Sequence, residues 1–164
     1  MFKRKILSKL EAWKRDERHK PLLLRGARQV GKTTVVNEFG SQFDNYLYFN
    51  LEMNESVRLF EMDIPLNDLV NMLFASSGKS QREGSTLIFI DEIQNSPKTI
   101  ALLRYFYEQR PDLYVIAAGS LLENLVDVNV SFPVGRVMYM ALRPCSFYEF
   151  LGAIGKTNLL AVLS

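Results

Sequence analysis

PLLLRGARQVGKTT (residues 21–34) joins two patterns in one short stretch. It begins as a wholly apolar run and ends in a glycine-bounded loop followed by lysine and two threonines. The run is too short for a helix and reads as a buried strand. The loop carries G-x-x-x-x-G-K-T, the spacing that wraps a phosphate. Gly26 and Gly31 permit backbone angles closed to other residues and leave no side chain in the way of an anion. Backbone N–H groups from about Arg28 to Thr33 then converge on phosphate oxygens. The helix that follows aims its positive end at the same charge. The predicted cradle is therefore Gly26, Ala27, Arg28, Gln29, Val30, Gly31, Lys32, Thr33 and Thr34. Lys32 supplies a movable positive charge for the β- and γ-phosphates, Thr33 a hydroxyl for Mg²⁺, and Thr34 a reach toward the α-phosphate.

The chain contains its own control. Gly-Lys followed by Ser or Thr occurs at 31–33, 78–80 and 155–157. Five residues before each glycine stand Gly26, Leu73 and Phe150 respectively. Only the first triplet has the upstream glycine, and only the first lies between a buried strand and a helix. The other two read as polar turns or helix ends.

A cradle binds; hydrolysis also needs an acid near the metal and a group to activate water. TLIFIDE (residues 86–92) is a continuous apolar strand ending in two acids. Asp91 is predicted to hold Mg²⁺ and Glu92 to polarise the attacking water. In a parallel sheet both would lie with Gly26 outside the carboxyl ends of the strands, where such folds bind ligands. The guanine-reading N-K-x-D is absent, so ATP is the expected nucleotide. Ser120, at the end of LYVIAAGS (residues 113–120), is expected either to sense the γ-phosphate or the water, or to cap the next helix.

The remaining chain supports an α/β frame. Ile6, Leu7, Leu10 and Trp13 have helical spacing, which predicts an amphipathic helix over 3–18 with a basic outer face. Residues 32–39 form the loop's helix, ending near Gly40. NYLYFNLE (45–52) is a second strand. Residues 55–75 are helical with a break around Pro65, and 76–85 form a polar loop. Ser96 caps a helix that begins at Pro97 and stops before Pro111. A short helix around 120–126 and a fifth strand over 137–142 follow. Ser146 and Glu149 have capping-box spacing for one more helix. Apolar strands alternating with helices predict a parallel sheet covered on both faces.

The phosphate loop, LIFIDEIQ, VIAAGS and FPVGRVMYMALRPCSFYEF together resemble the AAA-type, STAND-related prokaryotic ATPases known as AAA_14. The resemblance runs from about Arg4 to Phe150, and its most specific part is Pro133 to Phe150. It implies a three-layer P-loop NTPase with a mostly parallel five-stranded sheet in the order 5-1-4-3-2. It also implies that Arg136 is the family's Gly-Arg arginine, contacting the γ-phosphate of its own chain or acting as a finger on a neighbour's. Glu52 matches a recurrent position, either near Mg²⁺ or capping a turn. Trp13 is implied to be a packing residue first. Longer members continue past the RPxSFxEF segment, which makes this chain the expected fragment of a longer protein. On this reading 1–19 is a basic helix, 20–144 the ATPase core and 145–164 the start of a further region.

The expected activity is Mg-dependent ATP binding with slow hydrolysis, as a switch coupled to another domain, a protein partner or further copies of the chain. A passive nucleotide switch is the alternative. Net charge is +2, yet residues 1–20 hold eight Lys/Arg against three acids. That arm offers a third reading as a nucleic-acid contact, against a solvated helix face. No apolar run approaches the ~20 residues of a membrane span. The single Cys145 forms no internal disulfide, which fits a cytoplasmic location. His19 and Cys145 lack metal-ligand spacing and are assigned no chemistry.

Overall fold

The computed structural model describes residues 2–26, 31–81, 83–119 and 135–141. The elements in chain order are α1 (Phe2–Arg15), β1 (Leu22–Arg25), α2 (Lys32–Gly40), β2 (Asn45–Asn50), α3 (Asn54–Phe60) and α4 (Leu66–Ser76). These are followed by β3 (Thr86–Asp91), a 3₁₀ turn (Ile93–Asn95), α5 (Pro97–Gln109), β4 (Tyr114–Gly119) and β5 (Met138–Ala141). The strands form one sheet in the order β2-β3-β4-β1-β5. All four pairings are parallel. This is the order implied by the resemblance.

The sheet has two cores because neighbouring strand residues face opposite ways. Leu23, Ile88, Ile90, Val115 and Ala117 pack with α3, α4 and α5. Leu22, Leu24, Leu87, Phe89, Ile116 and Ala118 pack with α1 and α2. Burial on both faces is why these strands read as unbroken apolar runs rather than alternating ones. On α1, Ile6, Leu10 and Trp13 are buried. Cutting the fully buried Leu10 back to Ala would cost about 3 kcal/mol.

Helix ends follow local chemistry. Ser96 is buried and caps α5, its Oγ accepting from the Thr99 N–H at 3.3 Å. Its single hydroxyl hydrogen goes to Glu61 Oε2 at 2.7 Å, so the Thr99 hydroxyl is the donor in their 2.7 Å contact. The cap thereby ties α5 to the end of α3. The break expected at Pro65 is wider than one residue, occupying 61–65. Strand β2 ends at Asn50 rather than 52, because the Asn50 side chain and carbonyl accept from the Glu52 and Met53 N–H groups. The expected helices around 120–126 and from Ser146, and the 145–164 region, lie outside the described residues.

Candidate functional site

The carboxyl end of β1 leads toward α2, and the carboxyl end of β3 supplies two acids. Gly31 precedes α2 with φ +82°, the left-handed conformation that favours glycine. Its carbonyl accepts the Val35 N–H at 3.0 Å, so the helix is already formed at this point. Lys32 is 7% exposed, and its Nζ donates to the Gly26 carbonyl at 2.7 Å. The first glycine of the predicted cradle and its lysine are thus in contact. Ala27, Arg28, Gln29 and Val30, between them, lie outside the described residues, as does Ser120. Thr34 is the third residue of α2.

Thr33 and Asp91, 58 residues apart in sequence, meet directly: Thr33 Oγ1 donates to Asp91 Oδ2 at 2.7 Å. Asp91 is 3% exposed. A buried carboxylate is costly unless its oxygens are bonded. Here Tyr48 Oη donates to the same Oδ2 at 3.0 Å and the Glu92 N–H to Oδ1 at 2.9 Å. Tyr48 is carried on β2, the neighbouring strand, and burial followed by the charge of Asp91 pushes its phenol well above the usual range. It therefore remains a neutral donor near pH 7. Glu92 and Glu52 also raise it, so all three acids lie within electrostatic reach of one hydroxyl.

Glu92 stands just past the end of β3. Among the described residues it is the one non-glycine residue with a left-handed backbone, at φ 56°. That conformation costs about 1–2 kcal/mol for an L-residue with a Cβ. It ends the strand at Asp91, one residue earlier than the expected 86–92. The 3₁₀ turn follows, and Gln94 Nε2 donates to Glu92 Oε2 at 2.6 Å.

Hard oxygen donors beside a bound triphosphate suit Mg²⁺, which usually takes one or two protein groups and keeps water. The Thr33 hydroxyl and Asp91 carboxylate, side by side next to Lys32, fit that requirement. Among the described residues no three His, Cys, Asp or Glu side chains gather as a metal cage, and a nucleotide-bound Mg²⁺ does not need one.

Arg136 is not brought to this end of the sheet. It precedes β5, whose Met138 is in register with Leu22 at the start of β1 and donates its N–H to the Pro21 carbonyl at 2.9 Å. From that level to Gly26 is five residues of extended chain, about 16 Å. Arg136 Nε instead donates to Glu108 Oε1 at 2.6 Å, on the last turns of α5, where Arg104 also bonds the same oxygen at 3.2 Å. The first of the two expectations for Arg136, contact with its own chain's γ-phosphate, therefore conflicts with the strand register.

Trp13 packs in the core, 3% exposed, with its indole N–H donated to the Lys20 carbonyl at 2.7 Å. His19 is buried too, stacked on Tyr114 with ring centroids 3.9 Å apart. Sequence reasoning missed Tyr48 and Gln94. Tyr48 reads as one aromatic among several in a strand, and only the β2–β3 pairing turns it toward Asp91.

A parallel sheet in this order, with a glycine loop after the first strand and an acid ending the third, defines the P-loop NTPase class of α/β fold. The chain belongs to the AAA_14 family, described as an AAA domain, which matches residues 18–151. A curated relative, an uncharacterized protein of Methanocaldococcus jannaschii, is 29% identical over 153 residues, covering 89% of this chain and 30% of its own. Among solved structures, the Walker-type ATPase of Pyrococcus abyssi superposes with a TM-score of 0.55 at 20% identity, covering 93% of this chain and 57% of that one. A chain of Drosophila ORC bound to DNA gives 0.54 at 14% identity, covering 86% and 89%. The chain thus spans under a third of the archaeal relative. No helix among the described residues is long and apolar enough to cross a membrane.

Proposed function

We propose that this domain binds Mg·ATP and hydrolyses it slowly, as a switch whose cycle is read by another domain, a protein partner or a neighbouring copy. The carrying observation is the 2.7 Å hydrogen bond between Thr33 and Asp91, beside a lysine held at the phosphate loop. Lys32 pairs with the β- and γ-phosphates, and the loop N–H groups with α2 hold the remaining oxygens. Thr33 and Asp91 hold Mg²⁺, which when bound neutralises charge on the transferred phosphoryl group. Glu92 accepts a proton as water attacks the γ-phosphorus and the bond to the β–γ bridging oxygen breaks, giving ADP and phosphate. Ser120 serves as a polar contact near the γ-phosphate.

Arg136 acts on a neighbour. Its place at the amino-terminal edge supports a finger supplied in trans, where a fixed cationic fork stabilises phosphoryl transfer. The same placement favours the second reading, a passive switch, for an isolated copy: such a copy would bind nucleotide without an arginine at the γ-phosphate. Calorimetric titration of ATP with and without Mg²⁺, combined with phosphate release across a range of protein concentrations, tests both. Rising activity per molecule supports the finger; tight binding with flat, negligible release supports the passive switch. Absence of nucleotide binding sinks the proposal.

A further inference from the structure

Gln94 has a side chain with one half committed and the other half unmet. Its amide nitrogen donates to Glu92 Oε2 at 2.6 Å. Its Oε1 is buried, and no donor reaches it among the described residues. The opposite amide orientation would set two acceptors against each other, so the Glu92 charge fixes which end is oxygen. Buried amide oxygens are nearly always bonded, so an orphan one on a side chain joined to Glu92 calls for a donor from outside the described residues.

The backbone holds this group still. Gln94 is the middle residue of the 3₁₀ turn, and Ile93 before it is fully buried. The Asn95 and Ser96 N–H groups return to the Glu92 and Ile93 carbonyls at 3.1 and 3.0 Å. Ser96 then caps α5. Together with the left-handed backbone at Glu92, these bonds make residues 92–96 a braced turn at the end of β3.

The chemistry of water attack supplies the missing donor. A water molecule offers two hydrogens, and a single acceptor leaves it free to swing about one bond. Two acceptors fix it and direct a lone pair at phosphorus. Glu92 keeps Oε1 for one hydrogen, and Gln94 Oε1 is an acceptor for the other. We propose that Gln94 is a catalytic residue that, joined to Glu92 by its own amide N–H, holds the attacking water between two acceptors. During the step the water proton passes to Glu92; Gln94 accepts a hydrogen bond throughout and neither gains nor loses a proton. This rests on the hydrolytic reading above.

The test uses the full chain with Mg·ATP and compares wild type, Gln94→Leu, Gln94→Glu, Glu92→Gln and the Glu92→Gln/Gln94→Leu double variant. Gln94→Leu keeps bulk but removes both polar atoms. Gln94→Glu keeps acceptors but sets a second carboxylate against Glu92. Both are expected to lower kcat by at least about tenfold, the scale of a lost orienting group in proton-transfer catalysis. ATP affinity by equilibrium titration should stay within about twofold of wild type for variants that remain folded, since only uniform-binding losses move affinity. In the Glu92→Gln background Gln94→Leu should cause no further loss, because the two act as one unit. Independent, multiplying losses would overturn the shared role, as would Gln94→Leu with wild-type turnover. Wild-type protein that binds Mg·ATP but never hydrolyses it would remove the hydrolytic reading and this role together. Wild-type hydrolysis with an unaffected Gln94→Leu removes the Gln94 role alone.

Discussion

At the carboxyl-terminal edge of the sheet, polar groups from distant parts of the chain converge on one buried carboxylate. Asp91 takes bonds from Thr33 on α2, Tyr48 on β2 and the Glu92 backbone. At the amino-terminal edge, aromatic packing takes over: His19 lies on Tyr114, and Trp13 meets both edge-on. The charged groups there form partly exposed pairs, Arg136–Glu108 and Arg110–Asp112. One edge gathers buried polar groups around a carboxylate whose oxygens are bonded, an arrangement that is costly to build. The other leaves charge in water, where a pair contributes little to stability. The difference agrees with the proposal that the carboxyl-terminal edge handles the nucleotide, and it leaves Arg136, paired with Glu108, at the opposite edge.

The sharpest attempt to break this contrast is Glu92→Gln. Turnover should fall by about 1,000-fold with ATP affinity retained, as for loss of a positioned base; single-turnover phosphate release checks it, and normal release would remove Glu92 from the step. Lys32→Ala comes next. Losing a charge-assisted contact to phosphate should weaken ATP binding by about 100-fold, read by calorimetry, and a retained affinity would detach Lys32 from the phosphates.

Arg136→Ala separates the edges. Nucleotide affinity should be unchanged while activity at high protein concentration drops at least about tenfold. Mixing this variant with Lys32→Ala protein should restore activity, one copy giving the finger and the other the site. A changed affinity in the lone variant would mean that Arg136 reaches its own nucleotide after all. The smallest effect belongs to Glu108→Gln. The hydrogen bond from Arg136 holds the Glu108 carboxyl below its usual range. The pair therefore contributes fully at neutral pH, and the contribution fades as pH falls through the lowered, folded-state value. The variant should shift the melting midpoint by no more than about 2 °C at pH 7, a difference that vanishes in acid. A larger shift would make this edge structural.

The two edges were unequally legible in the sequence. The strand pattern and glycine spacing mark the phosphate loop because the loop is local: strand, turn and helix are consecutive residues. Asp91 and Glu92 were legible because two acids ending a buried strand acquire a role once the same chain carries a phosphate loop. Tyr48 and Gln94 were not, since each gains meaning from a partner fixed by strand pairing or by a backbone turn. The left-handed Glu92 carries no residue signature, as glycine would. Arg136 was identified by motif, but its side of the sheet depends on register, which no local pattern encodes.

Strand order also has a consequence for how the domain comes into being. β1, which leads into the phosphate loop, is flanked by β4 and β5, the two described strands that come latest in the chain. Its pairing partners lie some ninety residues or more further on (Leu22 with Ile116 and Met138). Contacts that distant are late and slow to close. The loop is synthesised early but gains its support only after most of the domain exists, so a nascent chain stopped before Tyr114 carries the motif without the cradle.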